Sequence, residues 1–218
     1  MSTFTYDANW NRTSATNALG QKTTYAYDAN SNLISLTTPL GRTTTFTVDA
    51  KGEVTRITGP DGKFSALTYD SHGNVTGITD PVGRTSRFAF DAQGLNPASV
   101  TDGLGHVTGF SFDANRRLTA ISLADSTQIQ YQRDCCSLTS VRDGAGNVTQ
   151  FQRDDLYNVT GVTDPLGKQT LFGYNTVRDL VSVTDPLGRV TKTAYDAAHQ
   201  PSGLTNALGG TIGFQRDA

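Results

Sequence analysis

Tyr69–Phe90 reads YDSHGNVTGITDPVGRTSRFAF. It opens on an aromatic followed by Asp, passes through Gly73-Asn74 and Asp80-Pro81-Val82-Gly83-Arg84, and ends as another aromatic, Phe90, precedes Asp91. Working outward, the residue before Asp falls at Tyr6, Tyr27, Val48, Tyr69, Phe90 and Phe112, then at Arg133, Arg153, Tyr174, Tyr195 and Arg216. These markers span 210 residues in ten intervals, a mean of 21, and only the steps to Phe112 and to Arg153 deviate, each by one residue. Repetition this strict over the whole chain is the signature of a repeat architecture.

One period can be read physically. Two residues before the marker stands a second large apolar group in all but one repeat: Phe4, Tyr25, Phe46, Leu67, Phe88, Phe110, Tyr131, Phe151, Phe172 and Phe214, with Thr193 the exception. Residues two apart share one face of a strand, so segments such as 42–48 read as half-buried strands. The Asp that follows (Asn175 in one repeat) starts a turn, because its carboxylate accepts a backbone N–H two residues on. The next strand carries apolar pairs three apart, such as Leu33 and Leu36, Val54 and Ile57, or Val75 and Ile78. That spacing requires either a bulge or one residue directed to each face. A second turn follows, as in Asp164-Pro165-Leu166-Gly167. Gly recurs at 20, 41, 62, 83, 105, 146, 167, 188 and 209, and Ser126 replaces it once. Pro presets the first turn torsion and Gly accepts the positive φ.

Each period is therefore a hairpin of two strands. The chain is predicted to be all-β: a continuous antiparallel meander of about ten 21-residue hairpin repeats, one array over 1–218. A strip of twenty strands at ~4.8 Å spacing should curl into a spiral strip or partial shell rather than lie flat. The alternative is a β-propeller, since two periods approach the length of a four-stranded blade. Uniform single periods argue against it. Neither end shows a polar cap, so the array reads as part of a longer one or as a chain that docks on a partner.

Composition narrows the function. The 218 residues hold 18 basic and 20 acidic side chains, a net charge of −2, and 36% are hydrophobic. This balance offers no basic field to nucleic acid or anionic lipid. No apolar run approaches a membrane span, and the N-terminus shows no secretory signal. No nucleophile, base and orienting group stand together, so no enzyme, cofactor or metal site is expected. His72, His106 and His199 fall at three different phases and read as turn-surface residues. Cys135-Cys136 is the only cysteine pair; adjacent cysteines bridge awkwardly, so free or buried thiols are expected. Asp143–Asn147 lacks the lysine and helix of a phosphate loop. Asn-x-Thr triplets at 11–13, 74–76, 147–149 and 158–160 follow from the repeat itself. Arg42, Arg84 and Arg189, with Lys63 and Lys168, follow the turn Gly; they either pair with Asp across neighbouring hairpins or form a ladder for acidic polysaccharide.

The phrases YDSHGNVTGITDPVGRT, YDAN-NLISLTTPLGRTT and YDAAHQPSGLTNALG resemble the YD repeat of the Rhs (rearrangement hot-spot) family over essentially the whole chain. That family includes bacterial polymorphic toxins, the shells of insecticidal toxin complexes and the teneurins. The resemblance implies a β-strip that spirals into a hollow shell, enclosing or displaying an effector in toxins and forming a cell-surface scaffold elsewhere. It implies as partners the remainder of the same polypeptide or its effector cargo, and a secreted or cell-surface location within a larger protein. Family self-cleavage uses Asp-Pro-x-Gly-Leu motifs. Here Asp164 and Asp185 lie in motifs that end in Lys168 and Arg189, in ordinary repeat phase, and are read as turns. A carbohydrate- or partner-binding repeat module is the alternative; the single Trp, Trp10, weighs against it.

Overall fold

The computed structural model describes residues 1–214, so the last marker, Arg216, lies outside the described residues. The described residues hold 21 strands and no helix. The chain separates into two compact units, Met1–Phe110 and Ser111–Ala218.

The first unit contains β1 (Thr3–Tyr6), β2 (Arg12–Thr16), β3 (Lys22–Tyr27), β4 (Leu33–Thr37), β5 (Thr43–Val48), β6 (Val54–Thr58), β7 (Phe64–Tyr69), β8 (Val75–Thr79), β9 (Thr85–Phe90) and β10 (Pro97–Thr101). Strand β11 (Val107–Phe112) lies at its end. The second unit contains β12 (Leu118–Ser122), β13 (Gln128–Arg133), β14 (Leu138–Arg142), β15 (Val148–Arg153), β16 (Val159–Thr163), β17 (Gln169–Tyr174), β18 (Leu180–Thr184), β19 (Val190–Tyr195), β20 (Pro201–Thr205) and β21 (Thr211–Gly213). Within each unit every strand pairs antiparallel with the next one in sequence, without a break. This is the meander of hairpin repeats. The unbroken ladders leave no division into four-stranded propeller blades.

Two kinds of pairing alternate. Strands joined by the Tyr-Asp turn share four pairs and a bulge. Tyr25 faces Leu36, Ala26 faces Ser35, and Tyr27 then faces Leu33, so Ile34 is the extra residue. The same step recurs where Tyr69 faces Val75 and Leu67 faces Ile78, with Thr76 extra. It recurs again where Tyr174 faces Leu180 and Phe172 faces Val183. The bulge resolves the spacing of three. One inserted residue brings two apolar residues, three apart in sequence, opposite two aromatics that are two apart. All four therefore share one face, and the reading with one residue on each face is excluded.

Strands joined by the Pro-Gly turn share only three pairs, with no bulge: Ser35 with Thr45, Leu36 with Thr44, Thr37 with Thr43. Beyond these pairs the marker side chain bridges the two strands. The Tyr69 hydroxyl donates to the Val54 carbonyl at 2.8 Å, and Tyr27, Tyr174 and Tyr195 reach Arg12, Val159 and Leu180 in the same way at 3.0–3.2 Å. Where the marker is Arg153, its guanidinium donates to the Leu138 carbonyl, the equivalent position. At these five positions the marker adds a donor at the end of a flat group to its apolar area, so Arg153 stands in for Tyr; Val48, Phe90 and Phe112 carry no such donor.

The opposite face is mixed: a central column of mostly small residues stands beside longer side chains such as Arg87, Gln130, Leu171 and Lys192. Its central column reads Ser14, Ser35, Arg56, Gly77 and Ser99 in the first unit and Ala120, Ser140, Gly161, Ser182 and Gly203 in the second. A Cβ on Gly77 would meet the Thr68 hydroxyl at 2.7 Å, so this column has little room. Ser14 and Ser140 are buried there and hydrogen-bond Thr5 and Gln132. Elsewhere the sheet is a single open layer. Among the described residues Ala120 is the only hydrophobic side chain counted as buried, at 8% exposure.

Replacing Tyr69 by Phe keeps the ring and removes the bond to Val54. Urea denaturation monitored by circular dichroism is expected to show a loss of about 0.5–1.5 kcal/mol, whereas Phe90→Tyr at the same phase should lose nothing.

Candidate functional site

Apart from the Asp91–Asn96 and Asp134–Ser137 turns, the two turns of a repeat, so different in sequence, have one geometry. In the Tyr-Asp turn the Asp28 N–H donates to the Asn32 carbonyl and the Ser31 N–H to the Asp28 carbonyl. In the Pro-Gly turn Asp80 pairs with Arg84, and Gly83 with Asp80, in the same manner. Each is a three-residue loop in which a type I turn precedes one residue in the left-handed region. That residue is Gly83 at φ 89° in one case and Ser31 at 64° in the other. Trp10, Arg116, Tyr157, Arg178 and His199 also hold it, at φ 60–70°.

The carboxylate makes this possible. Asp28 Oδ1 accepts the N–H groups of Asn30 and Asn32, and Oδ2 accepts the Asn32 side-chain amide. Asp80 Oδ1 accepts Val82 and Arg84 N–H, and Oδ2 accepts Arg84 Nε at 2.8 Å. Asp113–Arg117 and Asp185–Arg189 repeat the arrangement. The fifth residue of the turn therefore returns to the carboxylate of the first. This corrects the expectation that the cations pair across neighbouring hairpins. Arg84 and Arg189 are held by their own turns, because a side chain four residues on around a tight loop needs no reach.

These bonds to the charged form hold the carboxyls below the ordinary Asp value. The Asn32 side-chain amide is the chief cause at Asp28, and the Arg84 backbone N–H at Asp80. Asp7, Asp102, Asp113, Asp143, Asp154 and Asp185 are lowered in the same sense.

The remaining sequence candidates fall into this scheme. Asp164 Oδ1 accepts the Leu166 and Lys168 N–H groups, and Asp185 Oδ1 those of Leu187 and Arg189, so both serve as turn acceptors. His106 lies 2.9 Å from Asp102 in its own turn, His72 stands 3.9 Å from Asp70, and His199 reaches Asp179 of the preceding repeat at 3.0 Å. The last contact belongs to a series along the Tyr-Asp edge, in which Asn11 reaches Ser31 and Asn74 reaches the Gly94 carbonyl. These turns so touch a neighbouring turn along the sheet. Repeat phase conceals this contact in sequence, where its partners stand 20 residues apart; Asn recurring four residues after Asp is its only signal. Among the described residues no group of three His, Cys, Asp or Glu side chains is placed to hold a metal ion.

Cys135 and Cys136 are corrected as well: they are bonded to each other, not free. They occupy the shortened turn, where the Asp134 carboxylate accepts the N–H groups of Cys136 and Ser137 and Arg117 donates to the Cys135 carbonyl at 2.7 Å. The turn exposes both residues to solvent. Joining adjacent residues closes almost no loop, so the carboxylate and Arg117 carry the turn instead.

The RHS repeat family profile matches residues 6–44, 27–63, 48–85, 69–95, 90–128, 138–169 and 174–211. Three crystal structures share the fold over 94% of this chain. TcdB2-TccC3 without its hypervariable C-terminal region is 16% identical with a TM-score of 0.68, and TcdB2-TccC3 is 15% identical with a TM-score of 0.66. TcdB2-TccC3-Cdc42 is 12% identical with a TM-score of 0.53. This chain spans 13% of the length of the first two and 14% of the third. No curated protein matches the sequence.

Two outcomes are expected. The carboxyls titrate lower in the folded turns than in the unfolded chain. Their stabilisation is therefore complete above the unfolded value of about 3.9 and is lost as pH falls through the folded values. The urea midpoint should stay level between pH 7 and pH 5 and drop below about pH 4. The double substitution Cys135→Ser/Cys136→Ser should shift stability by no more than about 0.5 kcal/mol, whereas Asp134→Ala should destabilise the turn measurably in the same assay.

Proposed function

The chain belongs to the RHS repeat family, and from that premise we propose that it is a wall segment of an Rhs-type β-shell that encloses or displays a toxin or effector. The array over 1–218 is read as one continuous stretch of a longer polypeptide, whose remainder and cargo are its partners. The whole is exported from the cell that makes it. In this reading the chain is a container wall and performs no chemistry of its own.

The observation that carries the reading is the use made of its polar groups. Turn carboxylates are committed to backbone N–H groups, marker hydroxyls to backbone carbonyls, and several turn cations to carboxylates. Among the described residues no buried side-chain polar atom lacks a partner. The residues that recur most faithfully hold the strip together, as a wall requires. The two faces also differ in kind: one carries the aromatic and aliphatic columns, the other mixes small residues with long polar side chains such as Arg56, Arg87, Gln130 and Lys192. Carbohydrate recognition fits less well, because the hydroxyls of Tyr27, Tyr69, Tyr174 and Tyr195 are already engaged.

The test is protease protection in the full-length polypeptide that carries this segment. The effector portion should resist trypsin while the shell is intact and be digested once the shell is opened by denaturant or by turn substitutions such as Asp80→Ala/Asp185→Ala. Digestion of the effector at the same rate with intact and opened repeats would overturn the enclosure reading.

A further inference from the structure

The disulfide of this chain stands in a turn that departs from the rest. Among the described residues every other turn holds a residue at positive φ, and the Asp134–Ser137 turn holds none. Cys135 and Cys136 alone fill its tip, where Ala8, Asn9 and Trp10, or Ala197, Ala198 and His199, fill the equivalent turns. Those turns carry no cysteine, so the repeat itself does not require the pair.

The position makes the bond reactive and the turn independent of it. Both cysteines are exposed, so an external thiol reaches them without opening the sheet. Adjacent Cα atoms stand 3.8 Å apart across their peptide, inside the separation of about 4.4 Å at which disulfides ordinarily begin. A bond between neighbours is therefore reduced more readily than one that spans the usual distance. Opening it also releases almost no loop, so the unfolded chain gains little entropy. The turn is held by other groups. Asp134 Oδ1 accepts the N–H groups of Cys136 and Ser137 at 2.8 and 2.7 Å, and Arg117, itself paired with Asp113, donates to the Cys135 carbonyl at 2.7 Å. The charges of Arg117 and Arg153 both act on Asp134. A thiolate released in this turn thus forms beside a carboxylate whose charge is offset by two guanidinium groups, and cations favour a thiolate.

We propose that Cys135–Cys136 is a thiol–disulfide exchange site, opened by an external dithiol and closed again by a two-electron thiol oxidant. One thiolate of the dithiol attacks a sulfur of the pair. The bond between the cysteines breaks, and the other cysteine leaves as a thiolate that takes a proton from water. The second thiol of the reagent then attacks the reagent's own sulfur in the mixed disulfide, and the first cysteine leaves in turn. Two electrons pass to the pair, and the external dithiol becomes a disulfide. The sheet keeps its pairing in both states, because Asp134 and Arg117 hold the turn. The pair is closed in oxidising surroundings and open in reducing ones. The site depends on this turn alone and does not require the enclosure reading.

The test is labelling of the folded 218-residue chain with N-ethylmaleimide, read by intact mass. After treatment with diamide, which takes two electrons and two protons from a thiol pair, the chain should accept no label. After dithiothreitol without denaturant it should accept two, with its β-sheet circular dichroism unchanged. The variant Cys135→Ser leaves Cys136 as a single thiol, which should be labelled in the folded chain within about tenfold of its rate in urea. Labelling at both cysteines after diamide overturns the proposal, as no bond then forms. So does reduction that requires urea, loss of the β-sheet signal on reduction, a disulfide-linked dimer on a non-reducing gel, or protection of Cys136 beyond about tenfold in the folded variant.

Discussion

A side-chain oxygen of Asp or Asn that accepts two backbone N–H groups, two and four residues ahead of it, closes most turns of this protein. A loop of three residues with one residue at positive φ leaves N–H groups directed inward, away from the ladder. Side chains of Asp and Asn are short enough to meet them without leaving the loop. Asp28 and Asp80 do this in turns whose other residues have nothing in common. The sheet is thereby closed at both edges by one device. The rest of the repeat is free to vary provided that the spacing between the carboxylates is kept.

Turns closed by their own side chains permit a sheet without a core. Only Ala120, among the hydrophobic residues described, counts as buried, so stability comes from ladders, cross-strand pairs and the bridging hydroxyls. Such a sheet is stabilised by its neighbours along the array rather than by layers above and below, as in other repeat proteins. The marker residue is the clearest case. Tyr69 lies opposite Val75 on one side and bonds Val54 on the other, tying its repeat to the one before. A sheet assembled this way extends by addition of like steps, with its polar groups distributed along the periods.

Much of the strand and turn pattern was legible in the sequence. Hydrophobic alternation located the strands, and Asp, Pro and Gly located the turns, because these residues act on the chain within a few positions of themselves. Interactions between repeats were not legible. Reach of the Tyr27 hydroxyl to Arg12 and of His199 to Asp179 crosses 15 and 20 residues, and no local rule selects those partners. The cations were misplaced for the opposite reason. Arg84 has a carboxylate four residues away and takes the nearer partner, so its contact is more local than the ladder imagined for it.

By itself, then, the sequence determined the period, the all-β class and the position of each turn, since these rest on backbone torsions and on the short reach of Asp, Pro and Gly. Only the tertiary structure decided on which face the second strand's apolar pairs lie. Leu33 and Leu36 are three apart, and the choice between one face and two depends on whether a residue is inserted opposite β3. Pairing in register with Tyr25 and Tyr27 makes that insertion, and register is a property of two strands together.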